Sequence, residues 1–479
     1  MRAISTNRRR LKIGFKGIAN TVDEKELGYA FSNRAHNVTF ERGILSAAIG
    51  MDAAAGFFEY PNKSRHTFAK FASSKSIKNV FTYNYNAAGT PDYRIVVQLA
   101  DGTFWFTKIM TESGWAQISD LTITGDVEAV NYRYNGEDVL LLASKDDQLY
   151  YIKGNAAYAC SDAPHFASIT IHSERVFGAV NGAKTRLWFS DDFNPANWTI
   201  DLAGAGFVEF ADECGNIVKV ISFLGYLYVF RDYGIFRLTA YGDQESFVLK
   251  KVFTDTGRIY KNSIVLAGDK IIFLADEGLF AFDGYDVVRI AKEFPRVYDA
   301  DEAVGAYLDK RFYLACKIDA GEEYATGFRN NAVVVFDMFD KSLSELVGVD
   351  VRAIREVKTH SGSMLVCAFD KTYKNRLGMI SDSGQVFGSN LKKTYASPFS
   401  DLGTAACKTI RELQVRSKHD VTVTVKTDEN SYTFDVVGSD NTKRIIVEKS
   451  GVRIGIELCS EEQKLEIAPV VAVVDFMNE

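Results

Sequence analysis

RVFGAVNGAKTRLWFSDDFNPANW (175–198), VKVISFLGYLYVFRDYGIFRLTA (218–240) and KIIFLADEGLFAFDGYDVVRI (270–290) decide the fold. Each stretch sets a short apolar run, a polar turn and a second apolar run side by side. Two such runs across a tight turn rich in Gly, Asp or Asn are a hairpin signal. The unit recurs on both sides. Turn-plus-aromatic strands stand at ADGTFWFTK (100–108), KDDQLYYIK (145–153), AKTRLWFSD (183–191), RDYGIFRLT (231–239), ADEGLFAFDG (275–284), NNAVVVFDM (330–338) and KNRLGMISD (374–382). Their central residues Phe104, Leu149, Leu187, Ile235, Leu279, Val334 and Met379 are separated by 45, 38, 48, 44, 55 and 45 residues.

A step of about 40–50 residues is that of a four-stranded propeller blade. Seven units predict an all-β fold, a β-propeller of about seven blades over 64–390, with six or eight blades as neighbouring counts. Runs such as IVKVISFLGYLYVF are apolar on both faces, so the sheet they form must be sandwiched between like sheets. The competing reading is a large β-sandwich or two β-domains.

Composition agrees. The chain has 479 residues, 47% apolar and 25% charged, with 34 Phe and 23 Tyr against 7 Pro, which is the balance of a globular chain rich in strand formers. A net charge of −6 does not suit a whole-protein grip on nucleic acid. The local exception is Arg8, Arg9, Arg10, Lys12 and Lys16, read either as a solvated arm or as contacts to an acidic face of a neighbouring subunit. Six cysteines stand apart, none at metal-finger or redox spacing, and are expected to be reduced and mostly buried. No apolar leader or bilayer-length run is present, so no membrane partner is expected.

The flanks differ from the repeat. Residues 1–63 do not alternate cleanly and are expected to form an irregular N-terminal arm, with a capping box offered by Thr21 and Glu24. From 391 to 479, VTVTVKTDENSYTFDVV and RIIVEKSGVRIGIELCS alternate strictly around polar turns. They predict a C-terminal antiparallel β-sandwich, with Val421, Val423 and Val425 on one face and Thr422, Thr424 and Lys426 on the other.

No catalytic constellation stands out, and no cofactor, metal or catalytic residue is assigned. The six histidines are scattered. Asp283 and Asp286 are too few for calcium, which takes six to eight oxygens. SDDFNPANW (190–198) comes close to the Asp-box turn of sialidase-type propellers, with Asn194 in place of its Gly and Trp198 one residue late. That motif is a structural turn in any case.

Three pieces together resemble one family. RVFGAVNGAKTRLWFSDDFNPANW, VISFLGYLYVFRDYGIFRLTA and DTGRIYKNSIVLAGDKIIFLADEGLFAFDGYDVVRIAKEF resemble consecutive blades of β-propeller structural proteins of tailed bacteriophages, of the tail-hub, packaged-DNA-stabilisation and tail-nozzle kind. GFKGIANTVDEKELGYAFSNRAHNVTFERGILSAAIGM is similar to their opening segment. Asn194-Pro195 stands where that pattern has Asp-Pro. The resemblance implies a non-enzymatic virion protein of the head-to-tail connection or tail, made in the host bacterial cytoplasm. It implies a homo-oligomeric ring, six-fold or three-fold, with portal, adaptor or tail proteins as neighbours and packaged double-stranded DNA passing through the lumen. The alternative is a carbohydrate- or receptor-binding propeller at the tail tip, with Trp105 as the candidate aromatic surface. A glycosidase-like propeller ranks behind both.

Overall fold

A computed structural model describes residues 6–19, 27–57, 65–87, 89–201, 204–242, 244–254, 257–324, 327–359 and 362–477. Thr21 and Glu24 lie outside the described residues. Among those residues there are strands and four single-turn 3-10 helices, and no α-helix.

Among the described residues, six four-stranded antiparallel meanders and a seventh four-stranded blade make the propeller. Blade 4 shows the plan: Ile217–Phe223 innermost, then Tyr226–Arg231, Gly234–Thr239 and the outermost Val248–Phe253. The innermost strands of the other blades are Ile77–Ala87, Glu128–Tyr134, Ser168–His172, Val265–Ala267, Val304–Leu308 and Val351–Thr359. All seven central residues read from the repeat fall on the third strand of a blade.

Alternation explains the stacking. In Tyr226–Arg231, Leu227 and Val229 pack against Phe177, Leu187 and Phe189 of blade 3. Tyr228 and Phe230 turn the other way, onto Ile271, Phe273 and Phe282 of blade 5. A side chain such as Phe230, with no exposed surface, contributes about 1.5–3 kcal/mol by burial. Only a stack with sheets on both sides buries both sets. Sharp hairpins join first and second strands: Asn135-Gly136, Ser173-Glu174, Leu224-Gly225 and Asp309-Lys310 each place two consecutive residues at positive φ, the geometry of type I′ turns.

Residues 1–63, expected as an arm, supply strands to both units. Gly50–Ala53 pairs with Gly378–Ser381 and becomes the fourth strand of blade 7, behind Val351–Thr359 and Gly362–Phe369. The last blade is thus completed from the beginning of the chain. Thr6–Ile13 pairs along its whole length with Val470–Met477, at the edge of a four-stranded sheet with Lys408–Val415 and Lys443–Gly451. A second sheet, from Arg34–His36, Lys393–Ala396, Ile454–Ser460, Val421–Thr427 and Ser431–Val436, faces it. Ile13, Ile410, Leu413, Val474, Val423, Val425 and Leu458 fill the space between. This is the C-terminal β-sandwich, with Val421, Val423 and Val425 inward, as their alternation requires.

The sandwich sits against the outer strand of blade 6. Asn37 ties the two. Its Nδ2 donates to the Lys392 carbonyl at 2.8 Å, and its Oδ1 accepts from the Val347 amide at 2.9 Å. Beside it, His36 Nδ1 lies 3.2 Å from Glu345 Oε2, both side chains buried.

Candidate functional site

The seven innermost strands surround an axial cavity of about 840 Å³. Residues near the starts of these strands gather at one end of it, since all seven strands run in the same direction about the axis.

Glu128 is the centre of that end. Its Oε2 accepts from the Ser168 hydroxyl at 2.8 Å and from the Ile169 amide at 3.1 Å. Its Oε1 lies 3.2 Å from Lys219 Nζ and 3.2 Å from Lys261 Nζ. Ser168 Oγ in turn accepts from the Val220 amide at 3.2 Å, and Lys261 also donates to the Ala167 carbonyl. One carboxylate therefore links blades 2, 3, 4 and 5. Burial would raise its pKa, but Lys219, Lys261, Ser168 and Ile169 together bring it down to about 2. Burial lowers the Lys219 pKa; attraction to Glu128 opposes this, while Lys261 and Arg355 add repulsion.

The same lining holds more charge. Lys78 pairs with Asp126 at 3.1 Å, and Arg329 with Glu302 at 2.9 Å. Arg352 reaches Asp370 at 3.3 Å. Arg355 has no ion pair among the described residues; its Nη1 donates to the Ile354 carbonyl at 3.0 Å. Among the described residues, seven basic and five acidic side chains line the cavity, so this lining is positive within a chain of net charge −6.

The opposite end of the propeller carries the tips. In a four-strand meander the first-to-second and third-to-fourth connections share one end. There Phe193, Tyr241, Tyr285 and Phe339 stand exposed on the third-to-fourth connections of blades 3, 4, 5 and 6.

The residues singled out from the sequence lie elsewhere. Arg8, Arg9, Arg10 and Lys12 are on the edge strand of the sandwich, and Lys16 follows it. Arg8 Nε bonds Asp475 Oδ1 at 2.8 Å, and Arg9 lies over the Phe476 ring at 4.8 Å. Arg10, Lys12 and Lys16 are exposed or nearly so. Trp105 is half-buried, its ring edge-on to Phe71 at 5.9 Å, and belongs to the packing between blades 1 and 7.

The Asp-box-like turn is structural: Ser190 Oγ accepts from the Val176 amide at 3.0 Å, Asp192 pairs with Arg175 at 2.7 Å, and Trp198 is buried against Phe166. Asp283 Oδ1 accepts from the Tyr285 and Asp286 amides, both at 2.9 Å, and so closes its own turn. Among the described residues no group of three or more His, Cys, Asp or Glu is placed to hold a metal ion. Four of the six cysteines are buried and all six are free. No described helix is long and apolar enough to cross a membrane.

The Glu128 cluster was not read from the sequence. Its signal is charge set inside an apolar inner strand, once in Ile217-Val218-Lys219-Val220 and twice in Val351-Arg352-Ala353-Ile354-Arg355. The repeat is legible in second and third strands, which carry no such charge in common.

No protein-family model and no curated protein sequence matches the chain. Among solved structures it is similar to Raptor of Chaetomium thermophilum, with TM-score 0.43 and 13% identity, over 73% of this chain and 30% of that one. It is similar to BBS1N in complex with ARL6DN, with TM-score 0.42 and 10% identity, over 69% and 95% of the two chains. BamB from Moraxella catarrhalis gives TM-score 0.36 and 9% identity, over 72% and 94%. The chain thus spans under a third of the length of the Raptor chain.

Proposed function

We propose that the protein is a non-enzymatic structural component of a tailed-phage particle, in the head-to-tail connection or tail. In this reading copies form a six-fold or three-fold ring around the DNA channel, with portal, adaptor or tail proteins as neighbours. The observation that carries it is the run of three phage-like stretches, which fall on consecutive blades 3, 4 and 5. The exposed tips Phe193, Tyr241, Tyr285 and Phe339 support it, because apolar side chains gathered at one end of a rigid body suit a contact surface. The DNA channel belongs to the ring of copies and not to the propeller axis. A cavity of about 840 Å³ is the size of a small-molecule site, typically about 300–1,000 Å³.

Negative-stain imaging and native mass spectrometry of the purified chain with its genomic neighbours test the reading. A ring, or incorporation into particles, is the expected result, and Phe339→Ser with Tyr241→Ser should reduce it at least tenfold. A chain that stays monomeric and never enters a particle sinks it. The same exposed aromatics favour a second reading, a carbohydrate- or receptor-binding tip. There, glycan-array binding would be lost in Tyr241→Ala while Trp105→Phe keeps it.

A further inference from the structure

The Glu128 cluster is out of charge balance. Lys219 and Lys261 both reach the same oxygen, Oε1, at 3.2 Å. The other oxygen is occupied by the Ser168 hydroxyl and the Ile169 amide. Arg355 lines the same cavity, and Glu128 is the carboxylate whose charge favours it. One contacting carboxylate therefore faces Lys219, Lys261 and Arg355, while Asp126, paired with Lys78, acts on Lys261 from further off, and the described lining as a whole keeps an excess of two positive charges. Burial works against both Lys219 and Arg355. Burying a cation without full compensation is unfavourable, so a counter-anion in the cavity would stabilise the arrangement that folding imposes.

We propose that the charged end of the axial cavity binds a small doubly charged oxyanion of the phosphate class, seated between Lys219, Lys261 and Arg355. The three side chains suit that ligand in different ways. A guanidinium offers a planar fork that matches two phosphate oxygens, and an ammonium offers a compact point charge. They come from blades 4, 5 and 7, so the bound anion would join blades across the ring axis. The cavity volume of about 840 Å³ admits either free phosphate or the phosphate end of a nucleotide, and both present the same chemistry to these residues. This inference stands whether or not the chain is a virion component.

Calorimetric titration and thermal unfolding of the full chain test it, with inorganic phosphate, adenosine monophosphate and sodium chloride at matched ionic strength. Saturable one-site binding of phosphate or the nucleotide is expected, with a midpoint rise that chloride does not reproduce. The tighter of the two identifies the source. Arg355→Gln and Lys219→Met should each weaken binding at least tenfold, and Lys184→Gln, on the outer surface, should not change it.

Glu128→Gln has a distinctive sign. It removes the internal competitor, so the ligand-free protein should unfold earlier while phosphate binds more tightly, by threefold or more. A purely structural Glu128 would lower the midpoint and leave the affinity alone. Equal rises in phosphate and chloride, absence of saturable heat, or unchanged binding in Arg355→Gln would each overturn the proposal.

Discussion

The propeller and the sandwich are both completed by strands from the first sixth of the chain, but in different ways. Gly50–Ala53 is short and enclosed: it pairs with Gly378–Ser381 on one side and meets Val386 through Met51 on the other. Thr6–Ile13 is twice as long and lies at a sheet edge, paired on one side only. The propeller strand is held by enclosure, where a small steric change has nowhere to go. The sandwich strand is held by the residues it sends inward, and its outer face is free to vary. The two closures therefore fail through different kinds of substitution.

The largest expected effect tests the inward anchor. Phe15 follows the sandwich strand, is 1% exposed and meets Tyr395 edge-on at 4.9 Å. Phe15→Ala should cost about 3–5 kcal/mol, the usual range for a buried Phe. Hydrogen exchange should quicken in Val421–Thr427 and stay unchanged in Tyr226–Arg231. Its counterpart is Gly50→Val. A Cβ at Gly50 would lie 2.4 Å from the Gln385 carbonyl oxygen and 2.4 Å from Ser383 Oγ, so overpacking of about 1–3 kcal/mol is expected. Here Gly362–Phe369 should lose protection while Val421–Thr427 keeps it. If either variant loosens both units alike, the two closures are not separable.

A smaller effect is expected where the units meet. Removing the carboxylate in Glu345→Ala leaves buried His36 without its 3.2 Å partner. Stranding a buried polar group costs about 1–3 kcal/mol. Exchange should quicken on both sides of the junction, in Arg34–His36 and in Leu343–Val347. Quickening on one side alone would mean that Asn37, bonded to Lys392 and Val347, carries the junction by itself.

These contrasts track what could be read from the sequence. Second and third strands such as Tyr226–Arg231 announce themselves, because burial on both faces demands unbroken apolar runs. Val421–Thr427 announces itself by strict alternation. The closing strands do not: Gly50-Met51-Asp52-Ala53 has no strand pattern, and its partner lies more than 300 residues away. Arg8-Arg9-Arg10 reads as an arm because its pairing with Val470–Met477 is equally remote. Two type I′ turns carry Gly at the second position, after Asn135 and Leu224. Ser173-Glu174 and Asp309-Lys310 adopt the same positive φ without it, so tertiary pairing imposes what local preference would not. The Glu128 cluster was hidden for the same reason, since closure of the ring alone brings residues 128, 219, 261 and 355 together.

The smallest effect concerns the outer face of the sandwich's edge strand, and its sign follows from one carboxylate. Asp475 is buried; hydrogen bonding from Arg8, then from Arg411, lowers its pKa from the ordinary 3.8 to about 2. A carboxylate depressed in the folded state adds stability above its unfolded pKa and loses that contribution as pH falls through the folded one. The contribution of Asp475 is therefore present at neutral pH and fades between about 4 and 2. Arg8→Gln removes the larger of the two causes and moves the fading upward in pH, while Arg411, 2.7 Å from Oδ2, keeps part of it. The change at neutral pH should be slight, because the Arg8 side chain is 66% exposed and solvent screens such pairs. Exchange of the Val470–Met477 amides between pH 2.5 and 5 reads the effect directly. An unchanged pH profile in Arg8→Gln would show that Arg411 alone sets the Asp475 carboxylate, leaving the basic residues of the edge strand without a part in holding it.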